Sequence, residues 1–207
     1  MKTVLLVMPL AATLAVAQYK YEPAGPPPEE LTPAIRDALQ KTGHRILTAD
    51  GKVYAELWFR AQAPSGPPSN EENVSLTTIP HGSLVGAIRF PGRGSDRRGQ
   101  AIKPGVYTLR LAYYPLDGAH QGVAPQRDFL KIIPAAEDKD LNATPTYEQL
   151  VAMSNKASGT SHPAILGVWK LDKAEPAGLK QVEADWVLYA AIGDIPIAVI
   201  VVGVHQG

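Results

Sequence analysis

The amino-acid sequence predicts an all-β fold: a single antiparallel β-sandwich, immunoglobulin-like or jelly-roll-like, with two short inserted helices. Three observations lead there. Apolar and polar residues alternate with period two in several separate runs, the signature of half-buried strands. Glycine and proline together supply 37 of 207 residues, a punctuation that suits many short strands joined by turns. The clearest run, Gly105 to Tyr114, opens at the turn signal Pro104-Gly105. It places Tyr107, Leu109, Leu111 and Tyr113 on one face and Val106, Thr108, Arg110 and Ala112 on the other.

Met1 to Ala17 has the three parts of a secretory signal peptide. Lys2 precedes an apolar core from Val4 to Leu14, and Ala15-Val16-Ala17 is a small-x-small cleavage motif ahead of Gln18. The apolar run is too short to span a bilayer comfortably, so the mature chain is expected to be secreted or periplasmic with no transmembrane segment. Residues 18–32 are Pro-rich and read as an extended linker; residues 33–207 form the sandwich domain. Within it, Pro33 to Thr42 reads as a short helix capped by Thr32 and stopped by Gly43. His44 to Thr48 and Lys52 to Arg60 flank Ala49-Asp50-Gly51, a hairpin signal. A loop over 63–73 leads to a short strand at Val74 to Ile79, and Leu84 to Phe90 is the next strand. Pro91 to Gln100 is a glycine-rich basic loop.

After the Gly105–Tyr114 strand comes a polar loop, Pro115 to Gln126, and then a strand at Phe129 to Ile133. Thr146 to Lys156 carries apolar residues at helical spacing, with Thr144 or Thr146 as cap and Gly159 as stop. Strands are expected at Ile165 to Leu171 and Val182 to Ala191. Gly193-Asp194 turns the chain into Ile195 to Val204, whose β-branched richness predicts a strand buried on both faces.

Composition excludes several functions. Without cysteine there are no disulfides, thiolate metal sites or cysteine nucleophiles, and an exported domain must be held by core burial. Formal net charge is zero, whereas nucleic-acid and anionic-membrane binding favour a basic excess. The chain has no GxSxG elbow and no phosphate-binding GK[ST], and no cofactor is implied.

Three segments carry a resemblance. They are Gly86-Ala87-Ile88-Arg89-Phe90, Ile102-Lys103-Pro104-Gly105-Val106-Tyr107-Thr108-Leu109, and Asp185-Trp186-Val187-Leu188 with Ile195-Pro196-Ile197. Together they resemble an exported bacterial β-sandwich family of unknown function. The resemblance implies export and a sandwich, and it brings no catalytic residue.

Four constellations are candidates for chemistry. His81, His120 and His162 lie in expected loops; converging there, they would suit a metal with Asp117 or Asp128 as the orienting carboxylate. Asp117 and Asp128 flank the 115–126 loop as a catalytic acid pair would, with His120 between them. Arg97 and Arg98 in the basic loop suit a phosphate, sulfate or uronate through forked guanidinium bonds. Trp58 and Tyr114 offer rings that stack on sugars, with His120, Gln121 and Arg127 as polar neighbours. The expected function is a non-catalytic binding or surface-interaction module whose partner is a glycan or a protein. The alternatives are a metal-assisted or glycosidase-like hydrolase on the 115–128 loop, and a subunit joined to neighbours by strand exchange. Oligomeric state is not legible.

Overall fold

A computed structural model describes residues 18–116 and 126–203. The leader Met1–Ala17 and the loop residues Asp117, His120 and Gln121 lie outside the described residues.

In chain order the elements are β1 (Lys20–Ala24), α1 (Pro33–Ala38), β2 (Gly43–Leu47), β3 (Val53–Phe59), β4 (Leu84–Phe90), β5 (Gly94–Ser95), β6 (Ala101–Ile102), β7 (Gly105–Tyr113), β8 (Asp128–Pro134), α2 (Tyr147–Ser158), β9 (Ile165–Lys170), β10 (Gly178–Val182), β11 (Asp185–Ile192) and β12 (Ile195–Val202). The fold is therefore mostly β with two helices, as expected. Ten strands form one antiparallel sheet in the order β1-β2-β3-β4-β7-β8-β9-β12-β11-β10. The sheet curls until β10 lies against β1 without a ladder between them, which makes it nearly barrel-shaped. The corner is β9. Ile165–Gly167 pair with β8, and Val168–Lys170 pair with β12. A strand that changes partners midway is how a sheet turns a sharp corner.

The Pro-rich stretch is not wholly a linker. Its Lys20–Ala24 segment pairs with Gly43–Leu47 as an edge strand, a position where Pro23, lacking an N–H, is tolerated. The strand expected at Val74–Ile79 is instead an irregular segment that sends Leu76 and Ile79 into the core. β10 was not expected; it is short, largely exposed and polar, so it carries no alternation to read.

The concave face holds the main core, including Ile46, Leu57, Phe59, Ile88, Leu109, Leu111, Leu130, Leu166, Val199 and Val201. The convex face of the central strands is covered too. α1 seals Trp58, Leu84 and Ala87, while α2 seals Ala112, Phe129 and Ile133. α2 starts in a full capping box, with Thr146 accepting from Gln149 N and Gln149 accepting from Thr146 N. It ends at Gly159 in the left-handed region, where glycine is favoured. β7 is thus buried on both faces and not half-buried: Thr108, Arg110 and Ala112 are all fully buried.

Candidate functional site

The end of the β7–β8 hairpin gathers most of the described candidate residues. On its concave side, Asp128 is buried and accepts from Ser75 N at 2.7 Å and Leu76 N at 2.9 Å. Its carboxylate thus anchors the 70s segment, and both oxygens are engaged in a structural role. Arg127 donates from Nε to the Tyr114 carbonyl at 2.6 Å and from Nη1 to Glu71 at 2.8 Å, so it staples the hairpin end to the same segment. His81 packs edge-on against Tyr113, ring centroids 5.5 Å apart. Burial lowers its pKa, with the Lys131 charge acting in the same direction. His162 is exposed in the turn after α2. Among the described residues, no three His, Cys, Asp or Glu lie together as metal ligands, so His81 and His162 do not converge with a carboxylate there.

On the convex side the hairpin meets the basic loop. Asp96, 1% exposed, organises that loop. It accepts from Arg98 N at 3.0 Å, Gln100 N at 2.7 Å, Gln100 Nε2 at 2.8 Å and Ile165 N at 3.3 Å. The paired strands β5 and β6 close its base. Gly94 crosses directly over the Phe90 ring, where a side chain would collide. Arg97 donates its backbone N–H to the Ile165 carbonyl and its guanidinium to Asp185 at 2.7 Å. Arg93 and Arg98 are exposed and have no ion-pair partner among the described residues. The loop lies beside Tyr114. Burial raises the pKa of that phenol, and the charges of Arg98 and Arg97 pull it back down.

The expected sugar-stacking rings are not on offer. Trp58 is 2% exposed beneath α1, and its Nε1 donates to the Gly25 carbonyl at 2.8 Å. Tyr114 is 8% exposed against Phe129, with centroids 4.5 Å apart. Both rings lie in clusters covered by α1 and α2, a cover that strand alternation does not encode.

Three polar features are not apparent in the sequence. Glu22, Arg45, Glu56 and Arg89 stand directly opposite one another across β1, β2, β3 and β4 and form a ladder of alternating charge with Glu56 at its buried centre. Arg110, wholly buried, spends its donors on Asp138, Gly82 O, Ala143 O and Asp140 O. Lys131, also wholly buried, has no hydrogen-bond partner for Nζ among the described residues. At another edge of the sheet, a groove of about 510 Å³ runs between Ala61–Ser65, Thr78 and the Gly193–Ile195 turn.

Compared with protein-family models, curated proteins and solved structures, the chain matches none.

Proposed function

We propose that the protein is an exported, non-catalytic binding module that holds an anionic glycan, one bearing uronate or sulfate groups, on the basic loop at the end of the β7–β8 hairpin. One observation carries this reading. The loop is fixed by a buried carboxylate, while two of its arginines are exposed and have no ion-pair partner among the described residues. A fixed loop presents guanidinium forks with little ordering cost on binding, and each charge-assisted bond to an anion contributes about 1.5–3 kcal/mol. Asp185 neutralises Arg97, which leaves Arg93 and Arg98 as the ligand's contacts. The burial of Trp58 and Tyr114 argues against ring stacking as the recognition mode. Asp128, engaged by two backbone N–H groups, is a poor candidate for an acid–base role. The leader-like Met1–Ala17 stretch supports export.

Calorimetric titration with an oligogalacturonate, a sulfated oligosaccharide and a neutral glucan tests the proposal. The anionic ligands bind, more weakly as salt rises, and Arg93→Gln with Arg98→Gln lowers affinity at least tenfold. Equal binding of the neutral glucan, or full affinity in the double variant, would overturn it.

A further inference from the structure

The proposed ligand face makes no use of Lys131, whose setting is unlike that of any other lysine described. It stands on β8 opposite Arg110 on β7 and Ile165 on β9. Nζ lies 4.1 Å from the centroid of the Tyr147 ring and 5.8 Å from that of Phe129. The apolar cluster of Phe129, Ile133, Leu150 and Ile165 adjoins it. Among the described residues none supplies a close counter-charge. Asp138 is committed to Arg110, and Glu148 acts only at longer range. Tyr147, the ring over the amine, is the first residue of α2 and is itself only half-buried. The amine therefore sits one ring below the surface.

We propose that Lys131 is the chain's reactive amine, a site for covalent capture of small apolar aldehydes or ketones, with Tyr147 as its cover. An apolar setting favours the neutral amine, the nucleophilic form, and burial accordingly lowers this lysine to about 8. Among the described residues none makes a hydrogen bond to Nζ, so the deprotonated amine keeps its lone pair uncommitted. In the reaction, the Nζ lone pair forms the C–N bond while the carbonyl π electrons move to oxygen, and a proton passes from nitrogen to that oxygen. Loss of water from the carbinolamine leaves the imine. The step needs no oxidant or reductant.

The test is labelling of the folded protein with benzaldehyde at pH 7.5. Cyanoborohydride traps the imine as a secondary amine, and peptide mapping locates it. Lys131 is expected to label at least tenfold faster than the exposed Lys52, Lys170 and Lys180. Tyr147→Ala is expected to speed its labelling several-fold further without changing the exposed lysines, while Tyr147→Phe, which keeps the ring, leaves the rate unaltered. Far-ultraviolet circular dichroism identifies any variant that fails to fold, in which case the wild-type ranking of lysines decides. Labelling of Lys131 no faster than that of the exposed lysines, in wild type and Tyr147→Ala alike, would overturn the proposal.

Discussion

Replacing Lys131 with methionine should stabilise the protein and remove a specific pH dependence. The side chain is wholly buried, makes no hydrogen bond among the described residues and places Nζ against the Tyr147 ring. Burial lowers its pKa from the ordinary 10.5 to about 8, and the Glu148 carboxylate opposes only part of that. The sign follows directly. Below pH 8 the amine is charged in both states, and the fold bears the whole cost of burying it. As pH rises from 8 towards 10.5 the folded state loses the proton first, so stability increases. Between pH 7 and 9.5 this linkage is worth about 2 kcal/mol. For a chain of this size that is a rise in melting temperature of about 4–8 °C. Methionine fills much the same volume without the charge. Lys131→Met should therefore exceed wild type by roughly 3 kcal/mol at pH 7, with about 2 kcal/mol of that margin gone at pH 9.5. Urea unfolding at the two pH values measures it. The range stops short of pH 10, where tyrosines of the unfolded chain ionise. Equal pH slopes in the two proteins would show that the Lys131 amine keeps its ordinary affinity for the proton in the fold.

Three further outcomes follow from the same structure. His44 is buried beside Phe59, and burial lowers its pKa to about 4; the unfolded chain therefore takes up the proton first, and this residue should lower stability by about 2 kcal/mol between pH 7 and pH 4.5, a loss that His44→Phe, followed by urea unfolding, should remove. Asp138→Ala strands the wholly buried Arg110 guanidinium and should cost about 3–5 kcal/mol, whereas the paired change Arg110→Met with Asp138→Leu should cost much less; a single-variant loss below about 1 kcal/mol contradicts the assigned role. Asp96→Ala makes the basic loop more positive yet releases the N–H groups of Arg98 and Gln100, so faster amide exchange there and weaker anion binding are expected; tighter binding would mean that net charge, and not loop order, governs recognition.

What could be read from the sequence follows from what period two encodes. The strands at Leu84–Phe90 and Gly105–Tyr113, the Asp50-Gly51 turn and the α2 cap at Thr146, one of the two threonines expected, are local signals and appear as expected. Sheet closure and cover are not local. Nothing in Gly105–Tyr114 indicates that Arg110 will meet Asp138 across a segment folded back over the sheet. Nothing in Phe129–Ile133 indicates that Lys131 will lie under a helix that begins at Tyr147. The same hidden cover turned Trp58 from a candidate stacking platform into core. The basic loop was legible as a charge cluster. Its order was not, because it depends on Asp96 receiving the distant Ile165 N–H.

Backbone amide chemical shifts during titration with an oligogalacturonate locate the ligand face. The largest shifts should fall on Arg93 to Gln100 and on the adjoining hairpin end at Tyr114 and Arg127, and they should vanish in the variant lacking both exposed arginines. Shifts centred on the Ala61–Ser65 and Gly193–Ile195 groove, with the basic loop silent, would contradict this location.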